Sequence, residues 1–237
     1  MKVLYKVFSW LIALILPVVI ILSVVRVVIN PWYLVFEYHT PGFPEDPYGF
    51  SLEDRLKYGT LAVDYLTNSA DISFLGDLRF PPGQQTPQPS CQYMTDCTHL
   101  YNERELEHML DVKNVVKASM RVLEVSAVLL VLFLLWAWFG KWRKDYIKGL
   151  QRGGIFTLVF IGLIIVSVLV AFNYIFIIFH EIFFKAGTWT FLYSDTLIRL
   201  FPERFWQDTF LVVGGLSAFF GILFYFGFRA ILRKSHF

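Results

Sequence analysis

Four apolar runs, residues 7–29, 122–139, 155–179 and 209–228, are each long enough to cross the hydrocarbon core of a bilayer. In lipid every backbone polar group must be satisfied within the spanning structure, and uninterrupted runs of this length meet that demand as helices. The expected fold class is an all-α polytopic membrane protein with four transmembrane helices. Composition agrees: 56% hydrophobic and 19% aromatic residues, with a mean hydropathy of +0.54, exceed the roughly 45–50% apolar usage of soluble domains. The expected division is transmembrane helix 1 within 1–30, an extracytoplasmic, mainly helical domain at 31–121 and helix 2 at 122–139. A basic loop follows at 140–154, then helix 3 at 155–180, an interfacial segment at 181–208, and helix 4 with its tail at 209–237.

Charge placement orients the spans. Lys2 and Lys6 precede the first; Lys141, Arg143, Lys144, Lys148 and Arg152 follow the second; Arg229, Arg233 and Lys234 follow the fourth. Against them stands Asp145, whereas 31–121 holds thirteen acidic and seven basic residues. By the positive-inside rule both termini are cytoplasmic, and 31–121 and 181–208 lie outside. The net charge of +2 thus records membrane topology and gives no indication of a nucleic-acid partner. The first span is read as retained, because its apolar run is longer than a signal-peptide core, no small-x-small site follows it, and it ends in Asn30-Pro-Trp-Tyr, an interfacial anchor. Arg26 lies about 7 Å inside this end at 1.5 Å per residue. Two readings stand for it: a side chain snorkelling to the headgroups, or a cation that holds a lipid phosphate or an oxyanion.

In 31–121, the prolines and glycines of Tyr38-His-Thr-Pro-Gly-Phe-Pro and Tyr48-Gly-Phe impose turns. Ser51 with Asp54 starts a helix as a capping box, and Leu52, Leu56, Val63 and Leu66 give it an apolar stripe as far as about Asn68. Residues 76–98, with Pro81, Pro82, Pro87 and Pro89, read as an irregular loop. Cys91 and Cys97 are its two cysteines and favour a disulfide in an oxidising compartment; with His99 they make an incomplete zinc set of no recognised spacing. A second helix starts at Asn102, with Glu105 as capping partner, and runs without a breaker into the second span. On it His108 shares a face with Tyr101, Arg104, Glu105, Asp111, Val112 and Val115, apart from an apolar stripe of Leu106, Met109, Leu110 and Val116. That face is either solvated charge or part of a site near the headgroups.

His180 ends the third span and faces the same way as Asn173, two turns earlier. A histidine in a span is a functional candidate, with an interfacial polar residue as the alternative. His180-Glu181 matches the start of a zincin motif, but Phe184 occupies the place of its second histidine, so that metal site is rejected. The turn that follows is too apolar for a free loop and is broken by Gly187 and Pro202. In it Ser194 is placed to cap a short helix, with Leu197, Ile198 and Phe201 on one side and Asp195 paired with Arg199 on the other. Anchored by Trp189 and Trp206, it reads as an interfacial segment that walls a lipid-facing pocket beside His180, or as a connector that seals the bundle.

Four blocks together resemble the bacterial lipoprotein intramolecular transacylases, integral membrane proteins once classed as of unknown function. They are Tyr38-His-Thr-Pro-Gly-Phe-Pro; Asn102-Glu-Arg-Glu-Leu-Glu-His-Met-Leu-Asp-Val-Lys; Phe179-His-Glu-Ile-Phe-Phe with Gly187-Thr-Trp-Thr-Phe; and Ser194-Asp-Thr-Leu-Ile-Arg-Leu-Phe-Pro-Glu-Arg-Phe-Trp. The order of four spans and one large loop fits as well; residues 72–98 match nothing in the family. The resemblance implies transfer of the sn-2 acyl chain of a diacylglyceryl-modified lipoprotein to the α-amine of its own amino-terminal cysteine, giving a lyso-form lipoprotein in the bacterial cytoplasmic membrane. It implies two essential histidines, which fall on His108 and His180; no cofactor or bound metal is expected.

The chemistry fits these residue types. An α-amine of pKa roughly 7.7–8.0 must lose a proton before it attacks an ester, and the departing glycerol oxygen must gain one; imidazoles suit both tasks. Glu105, Asp111 and Glu181 are candidates to orient the rings, and Arg26, Asn173, Thr188 and Arg199 are candidates to stabilise an oxyanion. Amine and ester belong to one substrate, so no enzyme nucleophile is required; Ser194 lacks the Gly-x-Ser-x-Gly elbow of an acyl-enzyme serine. Two rivals are a non-catalytic tetraspan scaffold and a metal-dependent membrane lipid hydrolase built on the same histidines.

Overall fold

Each apolar run is helical, the third in two pieces. The structure is a computed structural model and describes residues 2–234. In chain order the helices are α1 Lys2–Val28, α2 Pro31–Tyr38, α3 Leu52–Thr67, α4 Ser73–Gly76, α5 Gln88–Cys91, α6 Glu103–Phe139, α7 Arg143–Phe183, α8 Thr196–Leu200 and α9 Glu203–Lys234. Four of them, α1, α6, α7 and α9, are long and apolar enough to cross a membrane. No strand occurs among the described residues; pairing is limited to one isolated bridge between Arg79 and His99. The fold is the all-α, four-span architecture that the sequence predicts.

The chain divides into two units, one of residues 1–28, 119–170 and 210–237 and the other of 29–118 and 171–209. In the first, the membrane unit, α1 buries Ile12, Leu16 and Ile20 against Leu130 and Ala137 of α6 and Trp142, Tyr146 and Leu150 around the start of α7. An aromatic cluster closes one end, with Tyr5 stacked on Trp142 at 5.4 Å and Phe8 edge-on to Trp136 at 4.8 Å. Burial of apolar side chains drives nothing between helices already in lipid, so close backbone approach and interhelical hydrogen bonds must do the holding. Both are present. A Cβ on Gly149 would stand 2.6 Å from the Ser9 carbonyl oxygen, and one on Gly153 2.7 Å from Leu16 Cβ. The Ser9 hydroxyl donates to the Asp145 carbonyl at 2.7 Å. Val125, Val128, Val131 and Leu132 of α6 remain largely exposed, which is the surface a lipid-facing helix presents.

The second unit holds α2 to α5, the start of α6, the end of α7 and α8. Its first element, α2, was not expected: Asn30 caps it by accepting from Trp32 N–H at 3.2 Å, and Pro31 fills the first helical position, where no N–H is needed. The capping box of α3 forms as predicted. Its buried face differs from the predicted stripe, however. Arg55, Tyr58, Gly59, Ala62 and Tyr65 turn inward, while Leu52 is 45% exposed. Arg55 reaches the Pro44 carbonyl at 2.7 Å and lies over the rings of Tyr38 and Phe43, so its stem and charge are both used inside. Residues 76–98 are more ordered than a free loop. Phe80 N–H pairs with the Thr98 carbonyl and Thr86 N–H with that of Cys97, α5 fills one turn, and Cys91 and Cys97 are joined by a disulfide. His99 instead pairs with Asp96.

The α7 helix is interrupted at Ala171, whose φ and ψ are −147° and 51°. The run read as a single span over 155–180 is therefore two helical pieces, and the piece that carries His180 packs in the second unit. Near the start of α9, Glu37 is almost fully buried. Tyr33 donates to it at 3.4 Å, while Arg204 holds Asp208 at 2.9 Å. Burial first, and then a hydrogen bond shared with Asp208, push the Glu37 carboxyl up to about 7.

Replacing Gly149 by alanine should lower the melting temperature in detergent, because its Cβ meets backbone; the cost expected of overpacking is about 1–3 kcal/mol. Gly162→Ala, with no atom within 4 Å of its Cβ, should leave the melting temperature unchanged or slightly raised, since it also removes a helix-interior glycine. Native Glu37 keeps its proton where the unfolded chain has lost it. Its contribution to stability should thus be complete below the ordinary carboxylate pKa and decline as pH rises to about 7, and Glu37→Gln should flatten that slope in melting temperature against pH.

Candidate active site

Five polar links fasten the stretch from Leu192 to Leu197 to the start of α6 and its neighbours. Asn102 caps α6 by accepting from Glu105 N–H at 3.0 Å, and Glu105 returns the bond to Asn102 N–H at 2.9 Å. The other carboxylate oxygen of Glu105 accepts from Leu197 N–H at 2.7 Å. Asp195 accepts from Asn102 Nδ2 at 3.1 Å and from Leu192 N–H at 2.8 Å, with Arg104 at 3.7 Å. The Thr196 hydroxyl donates to the Leu100 carbonyl, and the hydroxyls of Ser194 and Ser90 share a hydrogen bond of 2.7 Å.

This arrangement brings His108, near the start of α6, beside His180, in the last turn of α7. Their ring centroids are 6.0 Å apart and their planes 19° from parallel. Each residue is 8% exposed, so His108 does not sit on a solvated charged face. The surroundings are aromatic: Phe184 lies 4.8 Å from the His108 ring and 5.5 Å from that of His180, Phe191 is 5.3 Å from His108, and Phe176 and Trp189 are 4.1 and 4.9 Å from His180.

The two imidazoles are held differently. Nδ1 of His180 is 2.7 Å from the Phe176 carbonyl, which can only accept, so Nδ1 carries the hydrogen and Nε2 the lone pair. Nδ1 of His108 is buried and meets no partner among the described residues. Burial first, and then the nearby His180 ring, push the His108 imidazole down to about 4, so it is neutral at pH 7. Two like charges at this separation in an apolar shell repel strongly, and the pair accommodates one proton more readily than two.

The other expected site residues fall outside this pair. Glu105 is buried but spends both oxygens on backbone N–H groups rather than on His108. Glu181 is exposed, and the orienting role expected of it belongs to the Phe176 carbonyl. Asp111 is half-buried and bonds to neither ring; Asn173 is exposed. The Thr188 hydroxyl donates to the Lys185 carbonyl at 2.9 Å. Arg199 pairs with Asp46 at 3.0 Å, both side chains being buried, and its guanidinium lies 3.5 Å from the centre of the Phe50 ring. The expected pairing of Asp195 with Arg199 is thus replaced by partners distant in sequence. Asp195, not Ser194, stands at the N-cap of α8, and its side chain makes no cap bond there. Arg26 is an exposed residue of the membrane unit.

Among the described residues no three His, Cys, Asp or Glu side chains converge as a metal-binding group. Of the acids beside the histidines, Glu105 is occupied by backbone N–H groups and Glu181 is exposed. Missing from the sequence reading were the aromatic shell and the Asp195 links. Phe184 and Phe176 each stand four residues from His180, one helical turn to either side, which is the signal that could have found them.

The family model described as lipoprotein intramolecular transacylase Lit matches residues 10–206. A protein of Aquifex aeolicus described as uncharacterized is 28% identical over 235 residues, which cover 97% of this chain and 96% of that one. The structure of the membrane integral lipoprotein intramolecular transacylase of Bacillus cereus superposes with a TM-score of 0.77 at 18% identity, over 99% of this chain and 98% of the other. A variant of that protein with one histidine replaced by alanine gives 0.72 at 17% identity, over 98% and 96%. At these identities the structural likeness is one of fold.

Glu105→Ala should leave Asn102 N–H and Leu197 N–H without acceptors and destabilise the protein by about 1–3 kcal/mol for each buried donor, read as a lower melting temperature. Glu181→Ala, at an exposed position, should stay within about 0.5 kcal/mol of the unaltered protein.

Proposed function

This chain is a member of the lipoprotein intramolecular transacylase family and an acyltransferase of the membrane, and on that premise we propose that His108 and His180 catalyse an O-to-N acyl transfer within one substrate. The substrate is a diacylglyceryl-modified lipoprotein. Its sn-2 acyl chain moves to the α-amine of the amino-terminal cysteine, and the product is a lyso-form lipoprotein. The observation that carries this reading is the pair of buried imidazoles, 6.0 Å apart, with the tautomer of His180 fixed by a backbone carbonyl.

His180 Nε2, bearing the lone pair, takes the proton from the α-amine nitrogen as it bonds to the ester carbonyl carbon. The tetrahedral centre collapses, the bond from carbon to the glycerol oxygen breaks, and that oxygen gains the proton through the histidine pair. One proton leaves nitrogen and one reaches oxygen, so the pair returns to its starting state. A site that accommodates one proton at a time suits this sequence. Since amine and ester arrive on one molecule, proximity is supplied by the substrate. The aromatic shell keeps water from intercepting the ester, which would give hydrolysis rather than transfer. The charge asymmetry of the sequence supports a topology with both termini cytoplasmic and the histidines at the outer face of the bacterial cytoplasmic membrane, where lipoproteins carry their lipid.

Mass spectrometry of the amino-terminal lipopeptide of a model lipoprotein tests the reading. The unaltered chain should convert the diacylglyceryl form to the N-acylated lyso form, and His108→Ala or His180→Ala should each cut the rate by at least about 10²-fold, the lower range of acid–base contributions, without loss of folded protein. An acyl chain that stays on glycerol with the unaltered chain refutes the proposal.

A further inference from the structure

An ester under attack needs a donor for its carbonyl oxygen as well as a base for the amine. Of the side chains offered for that task by the sequence, Arg199 is committed to Asp46, the Thr188 hydroxyl to Lys185, Asn173 lies on an exposed face, and Arg26 is an exposed residue of the membrane unit. Two of the rings in contact with His180 carry an N–H, those of His108 and Trp189. The Trp189 ring is 4.9 Å from that of His180, and its Nε1 is buried with no acceptor among the described residues. Buried indoles ordinarily find an acceptor, and leaving one without costs about 1–3 kcal/mol. The local chain nonetheless fixes this placement. Gly187 adopts φ +86°, which favours glycine, and Thr188 turns back on Lys185 through both its N–H and its hydroxyl. The residue that follows is laid on His180 instead of acting only as the interfacial anchor that the sequence suggested.

We propose that Trp189 Nε1–H is the oxyanion donor of the acyl transfer, binding the carbonyl oxygen of the ester beside His180. This rests on the transacylase reading above. As the carbon–nitrogen bond forms, the carbonyl π pair moves onto oxygen, and that oxygen accepts a hydrogen bond from the indole without taking its proton. When the pair returns, the bond to glycerol oxygen breaks and the histidine pair supplies the proton there. An indole suits the position because it is a donor only and neutral, so it does not compete with the histidines for the proton in transit. Within a shell that includes Phe176 and Phe184, a donor already stripped of water gains more from a developing negative charge than it would in solvent.

The test replaces Trp189 by 3-benzothienylalanine, which keeps the two-ring shape and puts sulfur in place of N–H, and separately by phenylalanine. Acyl transfer on a diacylglyceryl lipopeptide in detergent is followed by mass spectrometry over a range of substrate concentrations. The expected result with benzothienylalanine is a fall in kcat of about 10²–10³-fold, the range seen on removing one oxyanion donor, with KM and the shape of the pH profile kept. Wild-type kcat in the benzothienylalanine protein overturns the inference while leaving the transacylase reading intact, even if Trp189→Phe is slow or unfolds. Absence of transfer by the unaltered protein overturns both.

Discussion

The contact of the Leu192–Leu197 stretch with the start of α6 governs much of the second unit. Asn102 and Glu105 are a helix cap, and the same two side chains reach across to Asp195 and Leu197. A capping box ordinarily satisfies donors of its own helix; here it has one oxygen and one amide to spare, and both are used to fasten a segment some ninety residues away in sequence. Because the carboxylates are buried, each lost bond leaves a stranded charge or amide, so the join is strongly specified.

Polar and apolar work are kept apart. Glu105 and Asp195 are occupied with amide N–H groups and an arginine, and the histidine rings are packed by phenylalanine and tryptophan. His180 takes its orientation from a main-chain carbonyl, which carries no net charge and does not titrate. A carboxylate in that place would bring a formal negative charge beside the ring and favour the charged imidazolium. A neutral acceptor fixes the tautomer without adding a charge beside the ring.

Much of this was legible from residue types and spacing. The spans follow from run length, and the Ser51–Asp54 and Asn102–Glu105 boxes follow from their three-residue separation, since both depend on local chemistry alone. The Asn30-Pro31 start of α2 carries the same kind of signal, a capping asparagine followed by a proline at the first helical position. The failures share one cause, the competition of tertiary partners with local ones. Arg199 has Asp195 four residues before it, yet Asp46 offers a fully buried bidentate partner, and Asp195 is taken by Asn102 and Leu192. The apolar stripe assigned to α3 lost to a face of tyrosines, a glycine and an arginine, because the tight approach to Leu34 and Tyr38 at Gly59 rewards a small residue flanked by amphipathic ones. The structure brings together the two histidines that the sequence singles out, and the identity of their neighbours required the fold.

The break in α7 at Ala171 bears on how a bilayer enzyme tolerates its solvent. Spanning helices tilt and shift as membrane thickness changes with lipid composition and temperature. Both imidazoles, their aromatic packing and the polar join belong to the same unit of the chain, and the last stretch of α7 is separated from its spanning stretch by a non-helical residue. The two rings, their aromatic packing and the polar join thus all lie within one unit, which α7 enters through a break and α6 without one.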